Sequence, residues 1–312
     1  MRDKLYLVGF LSFAGLLLFL GRPMVKESAL LTELLTFGAS TTVGVLGLLL
    51  YRLQLQLKAS RKELARKEAE ISIAHEVQRA LFPRQFPCGG GLEFSAICIP
   101  AGGISGDFYD ALQLPDGRQA FAIADISGKG ISAALLMANL QALLRVLANA
   151  GPEPGEVCRQ LNDHLHQVTD ASKFATFFYA NWQPSTRQLT YVNAGHNAPF
   201  LLGNHRRQRL EEGGMPLGMF PQAQFRTGEI TFQPGELLVL YSDGLTEATN
   251  AKGQEFGDSQ LESLVSTHCH RPLPEIQQMV LESVQRWASN QLDDDLTLVL
   301  VRSISQDSAT QP

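Results

Sequence analysis

Four short aspartate-bearing runs constrain this chain more than any other feature. They are Ile104-Ser105-Gly106-Asp107-Phe108-Tyr109-Asp110, Ala124-Asp125-Ile126-Ser127-Gly128-Lys129-Gly130, Tyr241-Ser242-Asp243-Gly244-Leu245-Thr246 and Asp293-Asp294-Asp295-Leu296-Thr297. Each adjoins an apolar stretch, so the fold that buries the stretch carries a carboxylate toward a low-dielectric interior. A lone ionised carboxylate is costly there, and a hard divalent cation offsets that cost when several carboxylates converge. The chain therefore reads as a metal enzyme with an oxygen-ligand site assembled from distant points of the sequence. A single Asp-Gly pair is most often only a turn; the ordered set carries the reading.

The 312 residues are 45% hydrophobic, which allows a membrane part and one full globular core. A net charge of -5 gives no reason to expect nucleic acid as a partner. Cys88, Cys98, Cys158 and Cys269 are widely spaced with no CxxC pair, which fits a reduced compartment and excludes a disulfide framework or thiolate zinc site. The pairs His164/His166 and His268/His270 diverge on a helix, so neither is expected to ligate a metal.

Leu5 to Leu20 is an uncharged apolar run, and Leu34 to Tyr51 is a second. Each approaches the roughly 20 residues that cross a bilayer. The first also resembles a signal peptide, but Gly21-Arg22-Pro23 follows it instead of a small-x-small cleavage site. Two such runs predict a transmembrane hairpin over residues 1–51. Arg52, Lys58, Arg61, Lys62, Arg66 and Lys67 crowd the exit of the second run, which places both termini on the cytoplasmic side of the membrane. Residues 52–87 form the next segment, a linker of helix-forming composition up to Phe82. Leu57, Leu64 and Ile71 recur every seven residues and predict a homodimeric coiled coil through residues 52–82, with Ser60 and Lys67 interrupting a second seam. One solvated amphipathic helix fits the same pattern. Pro83 and Pro87 end the helix, and Cys88-Gly89-Gly90-Gly91 reads as a flexible joint.

A globular domain over 88–303 follows, then a polar tail, 304–312, expected to be disordered. Strands are predicted at Leu92–Ile99, Arg118–Ile126, Phe174–Trp182, Gln188–Val192, Glu236–Tyr241 and Leu296–Val301. Helices are predicted at Ile131–Ala148, Val157–Val168 and Pro274–Ala288. Strands joined partly by hairpins and partly by helix pairs predict sheets packed under outer helices. Lys129 sits in a Ser-Gly-Lys-Gly run like a phosphate-loop lysine, but the upstream glycine pattern is absent, so nucleotide binding is rejected.

The ordered motifs GDFYD, ADISGKG, YVNAGHNAP, YSDGLTEA and DDDLTLVLV resemble the metal-dependent serine/threonine phosphatases of the protein phosphatase 2C superfamily. The branch they resemble is that of stage II sporulation protein E and the bacterial stress sigma-factor regulators. The resemblance runs from about residue 75 to 302 and includes Glu76 to Pro83 before the domain. It implies an α+β fold, an α-β-β-α sandwich of two antiparallel sheets flanked by helices, with two Mn2+ or Mg2+ ions at one edge. Carried over by motif, Asp125 would bridge the ions, and the Ile126 carbonyl would complete one shell. Asp243 and Asp294 would hold the other ion, with Asp107 close by as a ligand or through water. The triplet leaves Asp293 and Asp295 as neighbouring alternatives to Asp294, Asp110 is expected in a cap or turn, and His196 is expected to pin a loop. The chemistry implied is attack on phosphorus by water between two divalent ions, with no protein nucleophile. The substrate implied is a phosphorylated anti-sigma-factor antagonist, and the branch's helix before the domain is implied to act as a switch. A catalytically inactive, phosphatase-like membrane adaptor is the competing function; it would have lost the metal aspartates, which this chain retains.

Overall fold

In a computed structural model, the described residues are 13, 15, 29–169, 172–203, 206–289 and 291–305. The predicted membrane run at Leu5 to Leu20 lies almost wholly outside them, as does most of the predicted tail. The chain divides into two compact units, Met1–Glu70 and Ile71–Pro312.

Helix α1 spans Ala29–Arg79. The second apolar run and the predicted stalk are thus one uninterrupted helix, as the absence of Gly and Pro between residues 48 and 82 allows. Within the first unit its large side chains face outward. Leu34, Phe37, Leu48 and Leu49 are exposed, and so are Leu57 and Leu64 of the heptads. Its N-terminal part is long and apolar enough to cross a membrane.

The second unit is built on two sheets. The first has the order β1-β11-β10-β6-β7, from Leu92–Ile99, Leu296–Ser303, Leu237–Tyr241, Phe200–Leu202 and Arg207–Arg209. The second has the order β2-β3-β4-β5-β8, from Phe108–Gln113, Gln119–Ile126, Ala175–Gln183, Gln188–Ala194 and Gly213–Gly214, and β9 (Gly228–Thr231) also pairs with β5. All pairings are antiparallel except the short β5–β8 contact. Strands buried on both faces explain the nearly continuous apolar runs. Leu238, Leu240, Val299 and Val301 meet Phe121, Ile123, Phe178 and Trp182 between the sheets. On the outer face of the first sheet, Val239, Leu298 and Leu300 meet helices α5 (Asp258–His268) and α6 (Leu273–Trp287). On the outer face of the second, Phe108, Ala122 and Phe177 meet α2 (Ile131–Asn149) and α3 (Pro154–Val168). The result is the expected α+β, α-β-β-α sandwich. Apolar α2 is long enough to span a bilayer, yet Met137, Leu140 and Leu144 are fully buried against the sheet.

The glycine joint differs from expectation. Gly89, Gly90 and Gly91 hold positive φ angles of 80°, 69° and 82°. The Gly90 carbonyl accepts a 2.6 Å bond from Trp182 Nε1, and the Gly89 carbonyl accepts from Gln119 Nε2. Gly91 O accepts from Ile304 N. The glycines supply left-handed backbone for a packed turn rather than slack. The last strand likewise runs two residues past the predicted end at Val301, through buried Ser303.

Candidate metal centre

Each aspartate run lies at a strand end, and the four ends meet where the sheets adjoin. From the second sheet, Asp107 immediately precedes β2 and Asp125 is the penultimate residue of β3; the register pairs Phe108 with Ala124. From the first sheet, Asp243 follows β10 and opens the short helix α4 (Asp243–Thr246), while Asp294 lies just before β11. Ser242 joins these two: Thr297 N donates to Ser242 Oγ at 2.9 Å, and Ser242 N donates to Thr297 O at 3.0 Å. A Cβ on Gly244 would run into the Asp295 carbonyl, so glycine lets the Asp243 turn close against the aspartate triplet. The sheets are stitched by Thr297 Oγ1, which donates to Asp107 Oδ2 at 2.6 Å.

The carboxylates are close enough to act on one another. Burial holds Asp107 well above the usual carboxylate range, and the neighbouring Asp125 pushes it further. Burial and then Asp243 raise Asp125, with Asp294 adding to the effect. Asp243 is raised by burial and by Asp294. Burial and mutual repulsion act together here, the situation that a divalent ion relieves.

The triplet separates by role. Asp295 accepts from Ala101 N at 2.8 Å through one oxygen, and from Gly106 N at 2.8 Å and Ser105 Oγ at 2.9 Å through the other. It is a latch on the loop that carries Asp107. Asp293 is exposed, with a single 3.4 Å contact from Thr249 Oγ1 to its carboxylate. Asp294 takes a 2.9 Å bond from Asp295 N and a 2.9 Å ion pair with Lys129. Ile126 O lies beside Gly106, where a Cβ would stand only 3.0 Å from it. Asp110 is buried and paired with Arg145 at 2.6 Å, away from the cluster's chemistry. His196 accepts no such role either: its backbone N donates to Asn193 Oδ1, its ring bonds Thr176 Oγ1 at 2.8 Å, and burial pulls its pKa down to about 4. It pins the loop after β5.

One contact had no sequence signal. Gln78, near the end of α1, is buried and makes a two-way link with the Asp107 loop. Its Nε2 donates to Ser105 O at 2.7 Å and its Oε1 accepts from Ser105 N at 2.8 Å. Arg145 and Gln141 of α2 donate to the Leu81 carbonyl just beyond. Cys98 lies under the same loop, where burial and then Asp107 push its thiol up to about 12, so it is protonated and not a nucleophile.

Among the described residues no three acidic, histidine or cysteine side chains are gathered as a finished metal site. The donor chemistry nonetheless fits hard divalent ions: the converging groups are carboxylates, without thiolate or imidazole. Two of them are turned to protein partners, Asp107 to Thr297 and Asp294 to Lys129.

Comparison with known proteins supports the same reading. Residues 115–303 match the family described as Stage II sporulation protein E. The chain is 33% identical over 237 residues to the phosphoserine phosphatase RsbU of Bacillus subtilis, covering 75% of this chain and 70% of that protein. It is 29% identical to protein IcfG of Synechocystis over 251 residues, 70% of this chain but only 39% of the relative. Among solved structures, the RsbU and RsbW domains of Rv1364c from Mycobacterium tuberculosis superpose with a TM-score of 0.63 at 26% identity, over 73% of this chain and 63% of that one. The SiaA-PP2C domain of Pseudomonas aeruginosa gives 0.68 over 78% of this chain and 98% of that one; at 21% identity it speaks for the fold alone.

Proposed function

We propose, since the chain belongs to the stage II sporulation protein E family of phosphatases, that it is a metal-dependent phosphoserine/phosphothreonine protein phosphatase. Its substrate would be a cytosolic signalling phosphoprotein of the anti-sigma-factor antagonist type, in a partner-switching pathway. The observation that carries the reading is the meeting of Asp107 and Asp125 from one sheet with Asp243 and Asp294 from the other. Asp125, the Ile126 carbonyl, Asp243 and Asp294, with Asp107 beside them, would hold two Mn2+ or Mg2+ ions. When bound, these ions supply charge neutralisation for phosphoryl oxygens and a lowered pKa for water.

The chain's own residues prepare that chemistry. Burial of Asp107 and partial burial of Asp125 limit their screening by bulk water. Asp295 and Thr297 fix the Asp107 loop across the sheet seam, and Gly244 lets Asp243 approach. Cys98, beneath the Asp107 loop, is held protonated by burial.

The exposed apolar face of α1 between Leu34 and Tyr51 supports a membrane anchor. The basic residues after Tyr51 support a cytoplasmic catalytic unit at a bacterial inner membrane. Exposed Leu57 and Leu64 support pairing of two copies through residues 52–82. The test is phosphate release from a phosphoserine protein by the full chain in detergent with Mn2+. The activity should vanish with a chelator, return with Mn2+ or Mg2+, and be lost in a folded Asp125→Asn variant. Near wild-type turnover by Asp125→Asn would overturn the assignment.

A further inference from the structure

Lys129 is a motif residue that the proposed reaction leaves without a task. It occupies the turn between β3 and α2, between Gly128 and Gly130, whose φ angles are 97° and 78°. Two left-handed glycines aim the side chain out of the second sheet and across the seam. Its Nζ reaches the other sheet, 2.9 Å from Asp294 Oδ2 and 2.7 Å from the Asp293 carbonyl. The remaining oxygen of Asp294 accepts from Asp295 N. Both oxygens of Asp294 are therefore engaged by the protein itself.

We propose that Lys129 is an internal counter-cation that competes with a divalent ion for Asp294, so that metal uptake at that carboxylate requires its ammonium to swing away. The proposal rests on the metal reading of Asp294 given above.

Two observations support it. First, Asp294 is the carboxylate of the cluster held by a positive side chain, with its second oxygen engaged by Asp295 N. Secondly, the pair is labile by construction. The two side chains are 63% and 47% exposed, and an exposed lysine–carboxylate pair is weak and salt-screened. Lysine carries a single point charge on a flexible stem, suited to release, whereas arginine would grip the carboxylate with a fork. Lys129 thus holds the acidic mouth together against its own repulsion, yet gives way to a stronger cation.

The experiment is calorimetric titration of the full chain in detergent with Mn2+, at low and high salt, comparing wild type with Lys129→Gln and Lys129→Arg. Lys129→Gln is expected to tighten the weaker Mn2+ site by about three- to fivefold at low salt, with less gain at high salt. Lys129→Arg should bind no tighter than wild type. In wild type, Mg2+ should increase acylation of Lys129 by an amine-reactive reagent, read by mass spectrometry. Wild type that takes up no Mn2+ would overturn the metal reading and this proposal with it. Wild type that binds two ions, with Lys129→Gln unchanged or weaker, would overturn the proposal and leave the metal reading standing.

Discussion

Asp295 is predicted to be a structural latch whose removal costs stability before any metal is present. Its carboxylate accepts three hydrogen bonds, from Ala101 N, Ser105 Oγ and Gly106 N. Ala101 is exposed, so its N–H turns to water at little cost. Ser105 is fully buried and Gly106 is buried as well. Asp295→Ala leaves these two donors without a charged acceptor, at about 1–2 kcal/mol each. The expected loss is therefore about 3 kcal/mol. For a unit of this size each kcal/mol lowers Tm by about 2–4 °C, so Asp295→Ala should melt about 6–12 °C lower. The neighbours provide the contrast. The Asp293 side chain makes a 3.4 Å contact at the surface, and Asp293→Ala, which keeps the carbonyl, should stay within about 2 °C of wild type. Asp294→Ala loses one exposed ion pair and relieves repulsion on Asp243, so it should also stay within about 2 °C. Thermal unfolding by circular dichroism in chelator, on the full chain, measures all three. Asp295→Ala melting together with Asp293→Ala would refute the latch, and so would a comparable loss in Asp294→Ala.

Other expectations follow from single contacts. Arg145→Met strands the buried carboxylate of Asp110 and should cost about 3 kcal/mol in the same unfolding assay, with Asp110→Asn restoring part of it; additive losses in the double variant would refute the pairing. Gly244→Ala should lose Mn2+ affinity and stability together, because a Cβ meets the Asp295 carbonyl; a variant that binds Mn2+ in calorimetry as wild type does would show the close approach to be unimportant. Lowered from 6.5 to about 4 by burial, His196 gives stability that is complete above pH 6.5 and is lost as pH falls toward 4, because the unfolded chain takes up the proton first; the term amounts to about 3 kcal/mol. The raised carboxylates Asp107, Asp125 and Asp243 act in the opposite sense in chelator, since their protonation on acidification favours the folded state. His196→Gln should thus lose less Tm than wild type between pH 7.5 and 4.5, and parallel pH profiles would count against a buried neutral imidazole.

The fold was legible where one element satisfied one pattern. β3, β10 and β11 are runs buried on both faces, β1 is a half-buried run of the same kind, and the predicted ends of all four agree with the observed ends to within two residues. β2 was hidden because its first residues, Phe108 to Asp110, are also the aspartate motif. Strands β6 to β9 are two to four residues long, and β7 to β9 carry mostly Gly, Arg and other polar residues, so their pairing comes from neighbouring strands rather than from propensity. Helix α5 buries fully only Leu261 and Val265 of its 11 residues, too few for a visible stripe. The glycine joint was misread for a related reason: composition reports conformational freedom, whereas Trp182 and Gln119 decide whether that freedom is used.

The site shows the same division more sharply. Its aspartates were legible because each ends or begins a strand, where a buried strand must deliver its polar neighbour to the sheet edge. Which member of Asp293-Asp294-Asp295 faces the cluster was not legible, because adjacent residues share composition and differ only in what lies across the seam. The deciding donors belong to Ala101, Ser105, Gly106 and Lys129, all more than 160 residues away in sequence. Lys129 is the clearest instance. In sequence its glycines suggested a phosphate loop and then nothing. In space the same two glycines carry an ammonium across the seam to Asp294, a pairing that depends on how the two sheets meet and therefore leaves no trace in local sequence.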